Sequence, residues 1–259
     1  MNYDNLLIEK KDNAVYVKLN RPEVLNSFNK YMAYELQDFL DNAAQDDSIR
    51  CICLTGEGKA FSAGQDLDEA INCEKELQHI VKNHYNPVIK KIREISKPVV
   101  AAVNGTAAGA GANIALACDI VTAAESAKFI QAFNGIGLIP DSGGTYFLPR
   151  IIGFQKALSL AIMGDKISAE EAEKLGLIYK FFGDDEFEQN VSKIVEKLSN
   201  MPTKGIAYTK FAFNKTFNHS LDEQLDLERK LQGKAGDTND YKEGVDAFLN
   251  KRKPEFKGE

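Results

Sequence analysis

The chain has 259 residues, 44% of them hydrophobic and 27% charged; this is the balance of a soluble globular protein and excludes disordered and fibrous architectures. The length allows one large domain or two small ones. A net charge of −6 argues against a nucleic acid or an anionic membrane surface as the main partner. Cys51, Cys53, Cys73 and Cys118 form no CxxC pair, and His79, His84 and His219 give no HxxxH spacing. Free thiols are therefore expected, with neither a disulfide framework nor a metal site. The start, Met1-Asn2-Tyr3-Asp4-Asn5, has no basic segment followed by an apolar run, and a cytoplasmic protein is expected. The longest uncharged stretch, Pro98 to Cys118, carries Asn104, Gly105 and Asn113, a poor composition for a bilayer span.

Two short apolar runs open the chain, Leu6-Leu7-Ile8-Glu9 and Ala14-Val15-Tyr16-Val17-Lys18-Leu19. The alternation of Val15, Val17 and Leu19 predicts a strand, and Asp12-Asn13 predicts the hairpin turn before it. Met32, Leu36, Phe39, Leu40 and Ala43 fall at helical spacing. Cys51-Ile52-Cys53-Leu54 then reads as a buried strand ending at Gly56. A long helical pattern from Leu77 to Ile95 is interrupted at Pro87. Pro98 to Val103 reads as another buried strand and Ala112 to Cys118 as a small-residue helix. Strand followed by helix, repeated, is the pattern of an α/β domain. Ser168 with Glu171 predicts a capping box for a short helix that Gly176 ends. After about Gly183 the pattern turns wholly helical, beginning with Phe187, Val191, Ile194, Val195 and Leu198 and continuing through three more helices to Lys251. The expected division is an α/β core over 1–183 and a helical region over 184–259 that meets a partner subunit. The terminal Lys251-Arg252-Lys253 reads as a solvated helix end, or as a contact for an anionic ligand.

Three glycine-bearing segments stand out as candidates for chemistry: Phe61 to Leu67, Asn104 to Asn113, and Gly137 to Thr145. The first two each follow a buried strand and precede a helix, the place where ligands gather in parallel sheets. Gly109-Ala-Gly111 is half of a dinucleotide fingerprint, but Ile114 stands where the third glycine belongs and no acidic residue follows at the ribose offset. Nicotinamide and flavin are not expected, and the P-loop pattern is absent. Such turns can instead present backbone N–H groups to a ligand oxygen, aided by a helix N-terminus. They can equally serve tight strand–helix packing. Asp141, between Pro140 and Ser142-Gly143-Gly144, reads either as a helix N-cap or as a base in an apolar pocket walled by Phe133, Ile136, Leu138 and Ile139. Asp66 and Asp68 suit a helix start. Asn113 is either a satisfied core amide or a ligand-facing one. No serine sits in a triad context.

The ordered motifs Leu19-Asn20-Arg21-Pro22-Glu23-Val24-Leu25-Asn26-Ser27, Phe61 to Leu67, Lys97-Pro98-Val99-Val100-Ala101-Ala102-Val103-Asn104-Gly105, Ala117-Cys118-Asp119, Gly137 to Thr145 and Ile167 to Ala172 resemble those of the crotonase family, the enoyl-CoA hydratase/isomerase superfamily. The resemblance spans nearly the whole chain. It implies a spiral of ββα units, C-terminal helices that form a homotrimer or a dimer of trimers, and an acyl-CoA thioester substrate, with no cofactor beyond the coenzyme A that the substrate carries. It also implies that the N–H groups of Gln65 and Ala110 hold the thioester oxygen, and that Ala63, Asp66 and Leu67 line the path of the adenine and pantetheine.

Hydratases of that family carry two glutamates, at the positions here held by Asn113 and Phe133. Their absence predicts poor hydratase activity. Asp141 stands where a subset resembling ring-1,2-epoxyphenylacetyl-CoA isomerase carries a single acid/base, which implies isomerisation of a CoA thioester, with Asn113 and Phe133 facing the acyl group. The family's aromatic dehalogenases also place an aspartate there, but beside a tryptophan, and this chain has none. A hydratase or hydrolase with an unusual site, and a catalytically silent acyl-CoA binder, are the other readings. The stretch from Glu69 to Asn86 is expected to wall the acyl pocket.

Overall fold

The computed structural model describes residues 3–72 and 77–259. Cys73, and the part of the expected pocket wall at 73–76, lie outside the described residues. The chain opens with a hairpin, β1 (Leu6–Lys11) and β2 (Ala14–Leu19), turning at Asp12 with φ +50°. Helix α1 (Lys30–Gln45) follows, N-capped by the Asn29 side chain on the Met32 N–H. Three pairs of strands come next: β3 (Cys51–Gly56) with β4 (Ala60–Ser62), β5 (Val99–Val103) with β6 (Thr106–Ala108), and β7 (Ile120–Ala124) with β8 (Lys128–Ile130). The first two pairs are separated by α2 (Leu67–Asn72), α3 (Leu77–Ile80), a π-turn (Val81–Tyr85) and α4 (Asn86–Glu94); the next two by α5 (Ala110–Ala117).

Each pair contributes one strand to each of two sheets. The larger sheet has the order β1-β2-β3-β5-β7-β10 and the smaller one β4-β6-β8-β9, with β9 at Lys166–Ser168 and β10 at Lys180–Phe182. From β2 to β10 the larger sheet is parallel. This stepwise advance of paired strands is the expected spiral of ββα units. Between β8 and β9 lie α6 (Gly144–Ile152) and α7 (Phe154–Met163); α8 (Ala169–Lys174) precedes β10. Ser168 Oγ accepts from the Glu171 N–H, which gives the forward half of the expected capping box.

The central strands β3, β5 and β7 of the larger sheet are buried on both faces, which is why they read as continuous apolar runs. Val15, Val17, Ile52, Leu54, Val99 and Ala101 point into the main core with α1, α4 and α5. Ala14, Cys51, Cys53, Val100 and Ala102 point the other way, onto Phe187, Val191 and Val195 of α9 (Asp184–Ser199). The first helix of the expected C-terminal region therefore packs across the sheet. Burial pushes the Cys51 and Cys118 thiols up to about 12 and the Cys53 thiol well above its ordinary value, so these thiols stay protonated at neutral pH. Then α10 (Thr203–Lys215) docks on α4, while α11 (Leu221–Gly236) buries no residue and α12 (Asn239–Leu249) buries only Asp240 and Ala247. Among the described residues no helix is long and apolar enough to cross a membrane. Arg252, in the basic C-terminal run, is committed to Glu243 and Asp246.

Candidate active site

The first glycine turn is built from below by Asn26. This side chain is fully buried; it donates to the carbonyls of Glu57 at 2.9 Å and Ala60 at 2.8 Å and accepts from the Arg21 N–H at 2.8 Å. Its φ of +55° is tolerated because asparagine enters the left-handed region more readily than most residues. Ser62 Oγ donates back to the Asn26 carbonyl at 2.8 Å. Beyond it, Phe28 brackets the turn: its N–H donates to the Gly64 carbonyl at 2.7 Å, and its carbonyl accepts from the Asp66 N–H at 3.0 Å. The N–H of Gln65, between these two bonds, is left without a carbonyl partner among the described residues.

The second glycine turn lies against the first. A Cβ added to Gly64 would sit 2.7 Å from the Ala108 carbonyl oxygen and 3.4 Å from the Ala110 nitrogen. One added to Gly111 would sit 2.6 Å from Ser62 Cβ. The packing reading of these glycines therefore holds, and it is what brings the two turns together. Ala110 is the first residue of α5, so its N–H has no acceptor within the helix and carries the positive end of the helix dipole. Two N–H groups from touching turns, both without an acceptor among the described residues, can stabilise a developing oxyanion. Gly109, at φ +51°, lies 3.7 Å (measured from its would-be Cβ) from the ring of Phe133, so Phe133 borders this turn.

Asp141 comes from the loop before α6. Helix α6 starts only at Gly144, with Gly143 at its N-cap and no side-chain cap. The carboxyl group of Asp141 is thus not used as a helix cap. Among the described residues it forms no ion pair; Ser142 Oγ donates to its Oδ1 at 2.9 Å. Burial raises this carboxyl above the usual carboxylate range, and the Ser142 hydroxyl and the backbone N–H of Asp141 offset only part of that. Ser142 pays for the contact with a left-handed backbone, φ +50°. The main chain of the loop is clamped instead: the Asp141 carbonyl accepts from the Gly144 N–H and from Asn113 Nδ2, both at 2.8 Å.

A family model described as "Enoyl-CoA hydratase/isomerase" matches residues 9–259. The chain belongs to the enoyl-CoA hydratase/isomerase family. Among curated relatives of this family it is 44% identical over 257 residues to "1,2-epoxyphenylacetyl-CoA isomerase" of Escherichia coli (strain K12), an alignment covering 98% of each sequence. It is 43% identical over 258 residues to "Probable enoyl-CoA hydratase" of Rhodobacter capsulatus, covering all of both. Among solved structures, an enoyl-CoA hydratase from Bacillus anthracis superposes with a TM-score of 0.94 at 33% identity, over 99% of this chain and 100% of that one. The fold is the crotonase fold.

For an enoyl-CoA hydratase/isomerase family member, the hydratase glutamate positions are the informative ones. The Asn113 side chain is a satisfied core amide. It is fully buried, donates to the Asp141 carbonyl and accepts from Gln131 Nε2 at 2.9 Å, so its amide is spent on holding the Asp141 loop. Asp66 is pinned by Arg21 at 2.8 Å and accepts from the Glu69 N–H at the start of α2. Burial would raise its carboxyl, but these bonds hold it below the usual range; the side chain is a brace, while Ala63 beside it is half-buried and Leu67 exposed. An apolar cavity of about 380 Å³ flanks the Asp141 loop, lined by Leu138, Pro140, Thr145, Leu148 and Leu158. A larger one, about 550 Å³ between α4, α6 and α10, includes neither glycine turn nor Asp141. Two site residues escaped the sequence reading. Gln131 lies one residue past β8, a polar side chain at a buried position whose Oε1 has no partner among the described residues. Tyr85, one of the largest fully buried side chains, donates its hydroxyl to Gln65 Oε1; its only signal was an aromatic in a helical pattern just before Pro87.

Proposed function

We propose that this protein is an acyl-CoA isomerase in which Asp141 is the single acid/base and the N–H groups of Gln65 and Ala110 form the oxyanion hole. The observation that carries the reading is the state of Asp141: a carboxyl group raised by burial, uncommitted to any cation or cap among the described residues, on a loop whose main chain is clamped from two sides. For a β,γ-unsaturated thioester, Asp141 takes a proton from C2 and the electron pair moves onto the thioester oxygen. The two N–H groups hold that enolate; the pair returns through C2 and C3, and the carboxylic acid delivers its proton to C4. The double bond has moved into conjugation and the acid is a carboxylate again. An oxyanion-hole donor of this kind stabilises a transition state by roughly 2.7–4 kcal/mol. The same acid and enolate site suit rearrangement of an epoxide beside an acetyl-CoA unit, the activity in the printed name of the E. coli relative.

Hydration is the second reading, favoured by the printed name of the R. capsulatus relative. It requires a water to be activated while a proton is delivered to the α-carbon, two tasks that paired carboxylates share. Here the two glutamate positions hold a bonded amide and a phenyl ring. We further propose that the C-terminal helices assemble the protein as a trimer or a dimer of trimers. The test of the activity is ultraviolet absorbance on incubation with trans-3-hexenoyl-CoA. Conjugation by the wild type, lost in Asp141→Asn while hexanoyl-CoA still binds, is the expected result. Binding without conversion by the wild type points to a silent binder, and robust water addition to crotonyl-CoA points to a hydratase.

A further inference from the structure

We propose that Tyr85 is a positioning residue for the oxyanion hole: its hydroxyl, acting through the Gln65 side chain, fixes the peptide whose N–H takes the enolate oxygen. The inference rests on the isomerase reading above and adds a residue to it.

Tyr85 is placed by a local irregularity with an identifiable cause. Pro87, at the start of α4, has no N–H for the carbonyl four residues earlier, that of Asn83. The helix widens into a π-turn over Val81–Tyr85, and Gln37 Nε2 reaches over from α1 to donate to the carbonyls of Asn83 at 2.9 Å and His84 at 3.2 Å. The last residue of that turn, Tyr85, is turned inward and is 1% exposed. Its ring meets Phe28 edge-on at 6.2 Å, the residue whose backbone brackets Gln65.

The Gln65 side chain is held at both ends. Its Oε1 accepts from the Tyr85 hydroxyl and its Nε2 donates to the Asp66 carbonyl at 3.1 Å. With Phe28 bonded on either side of residue 65, the peptide plane carrying the Gln65 N–H has little freedom to turn. Burial, then the charges of Asp141, Glu69 and Asp66, push the Tyr85 phenol well above its ordinary value. The hydroxyl therefore stays a donor, and it lies within electrostatic reach of the proposed acid/base. A glutamine side chain that only faced solvent would need no such partner.

The test uses Tyr85→Phe, Gln65→Met, which keeps the backbone N–H but removes the side-chain acceptor, and the double variant. Circular dichroism and hexanoyl-CoA binding confirm that each variant folds. With trans-3-hexenoyl-CoA, each single variant is expected to lose roughly tenfold in kcat with KM within about twofold, and the double variant is expected to be no worse than the weaker single one. The second readout is the enolate absorbance of bound acetoacetyl-CoA: the wild type is expected to lower the pH at which the enolate forms, and both single variants to give part of that shift back. Losses that multiply in the double variant overturn the proposal, because Tyr85 would then act independently of Gln65. An enolate signal unchanged in Tyr85→Phe, or absent from the wild type, also overturns it. Enolate stabilisation without turnover of the 3-enoyl thioester would refute the isomerase reading alone.

Discussion

Asp141 and Ser142 show how two adjacent residues can divide a cost. Ser142 occupies a left-handed backbone and in return directs its hydroxyl onto the Asp141 carboxylate at 2.9 Å. Its hydrogen bond lowers a carboxyl that burial has raised. If Asp141 is the proposed base it must be ionised, so kcat falls as pH drops through the folded value and the acid limb should lie above the ordinary carboxylate range. Ser142→Ala removes a lowering influence and should move that limb to higher pH; a limb that stays put would deny the bond its effect. Asn113→Asp replaces the donor to the Asp141 carbonyl with a carboxylate, adding like charge beside Asp141, and should raise the limb further while reducing kcat by roughly 10²-fold if the loop shifts by an ångström. The linkage has the corresponding sign for stability. A folded pKa above the unfolded one makes ionised Asp141 a cost at neutral pH, fully absent below the unfolded value and growing as pH rises through the folded one. Asp141→Asn should thus melt no lower than the wild type while losing turnover, and a drop of several degrees would mean that the carboxylate is a structural anchor.

At the level of elements, the motif around Cys118 acquires a physical meaning. Asp119 accepts from the Val99 N–H at 2.8 Å and from Lys210 Nζ at 2.7 Å, and Arg93 approaches its other oxygen at 3.4 Å. Lys210 also donates to the carbonyls of Ile92 and Lys97, so one buried ammonium ties α10 to the end of α4 and the start of β5. Burial pulls the Lys210 ammonium below its ordinary value, and Asp119 opposes that shift. Asp119→Ala leaves a buried cation unpaired and should cost roughly 3–5 kcal/mol in urea denaturation; a loss under about 1 kcal/mol would mean that water reaches Lys210 as readily as the carboxylate does. Elements were legible wherever apolar residues formed a run or kept a regular period: β2, β3, β5, α1 and α9 lie where that pattern put them. The break at Pro87 was legible as well, but the widened turn was not, because it depends on Gln37 from another helix supplying the missing bonds. For the same reason Asp141 could not be told from an N-cap in sequence. That α6 starts at Gly144 depends on Asn113, 28 residues away in the chain.

The two sheets place the whole site. Successive strand pairs advance along both sheets together, so the turns after β4 and β6 come to lie side by side although more than forty residues separate them in the chain. Sequence could name the turns but not their contact, which is a property of the winding. The C-terminal helices have a different character. Phe211, Phe213, Phe217, Leu221, Phe248 and Leu249 all expose their side chains, Phe248 to 83%. Large apolar groups gathered on consecutive elements exceed what scattered surface residues explain and suit a subunit interface. The expected sedimentation mass is three or six times the 28.7 kDa chain, stable to dilution. Phe248→Glu should loosen the assembly without altering the far-ultraviolet spectrum, because a fully desolvated carboxylate at an apolar contact costs far more than the same group in water. A wild type that sediments at 28.7 kDa would leave those phenyl rings in solvent and remove the assembly from the proposal, while the proposed roles of Gln65, Ala110 and Asp141, all in one chain, would stand unchanged.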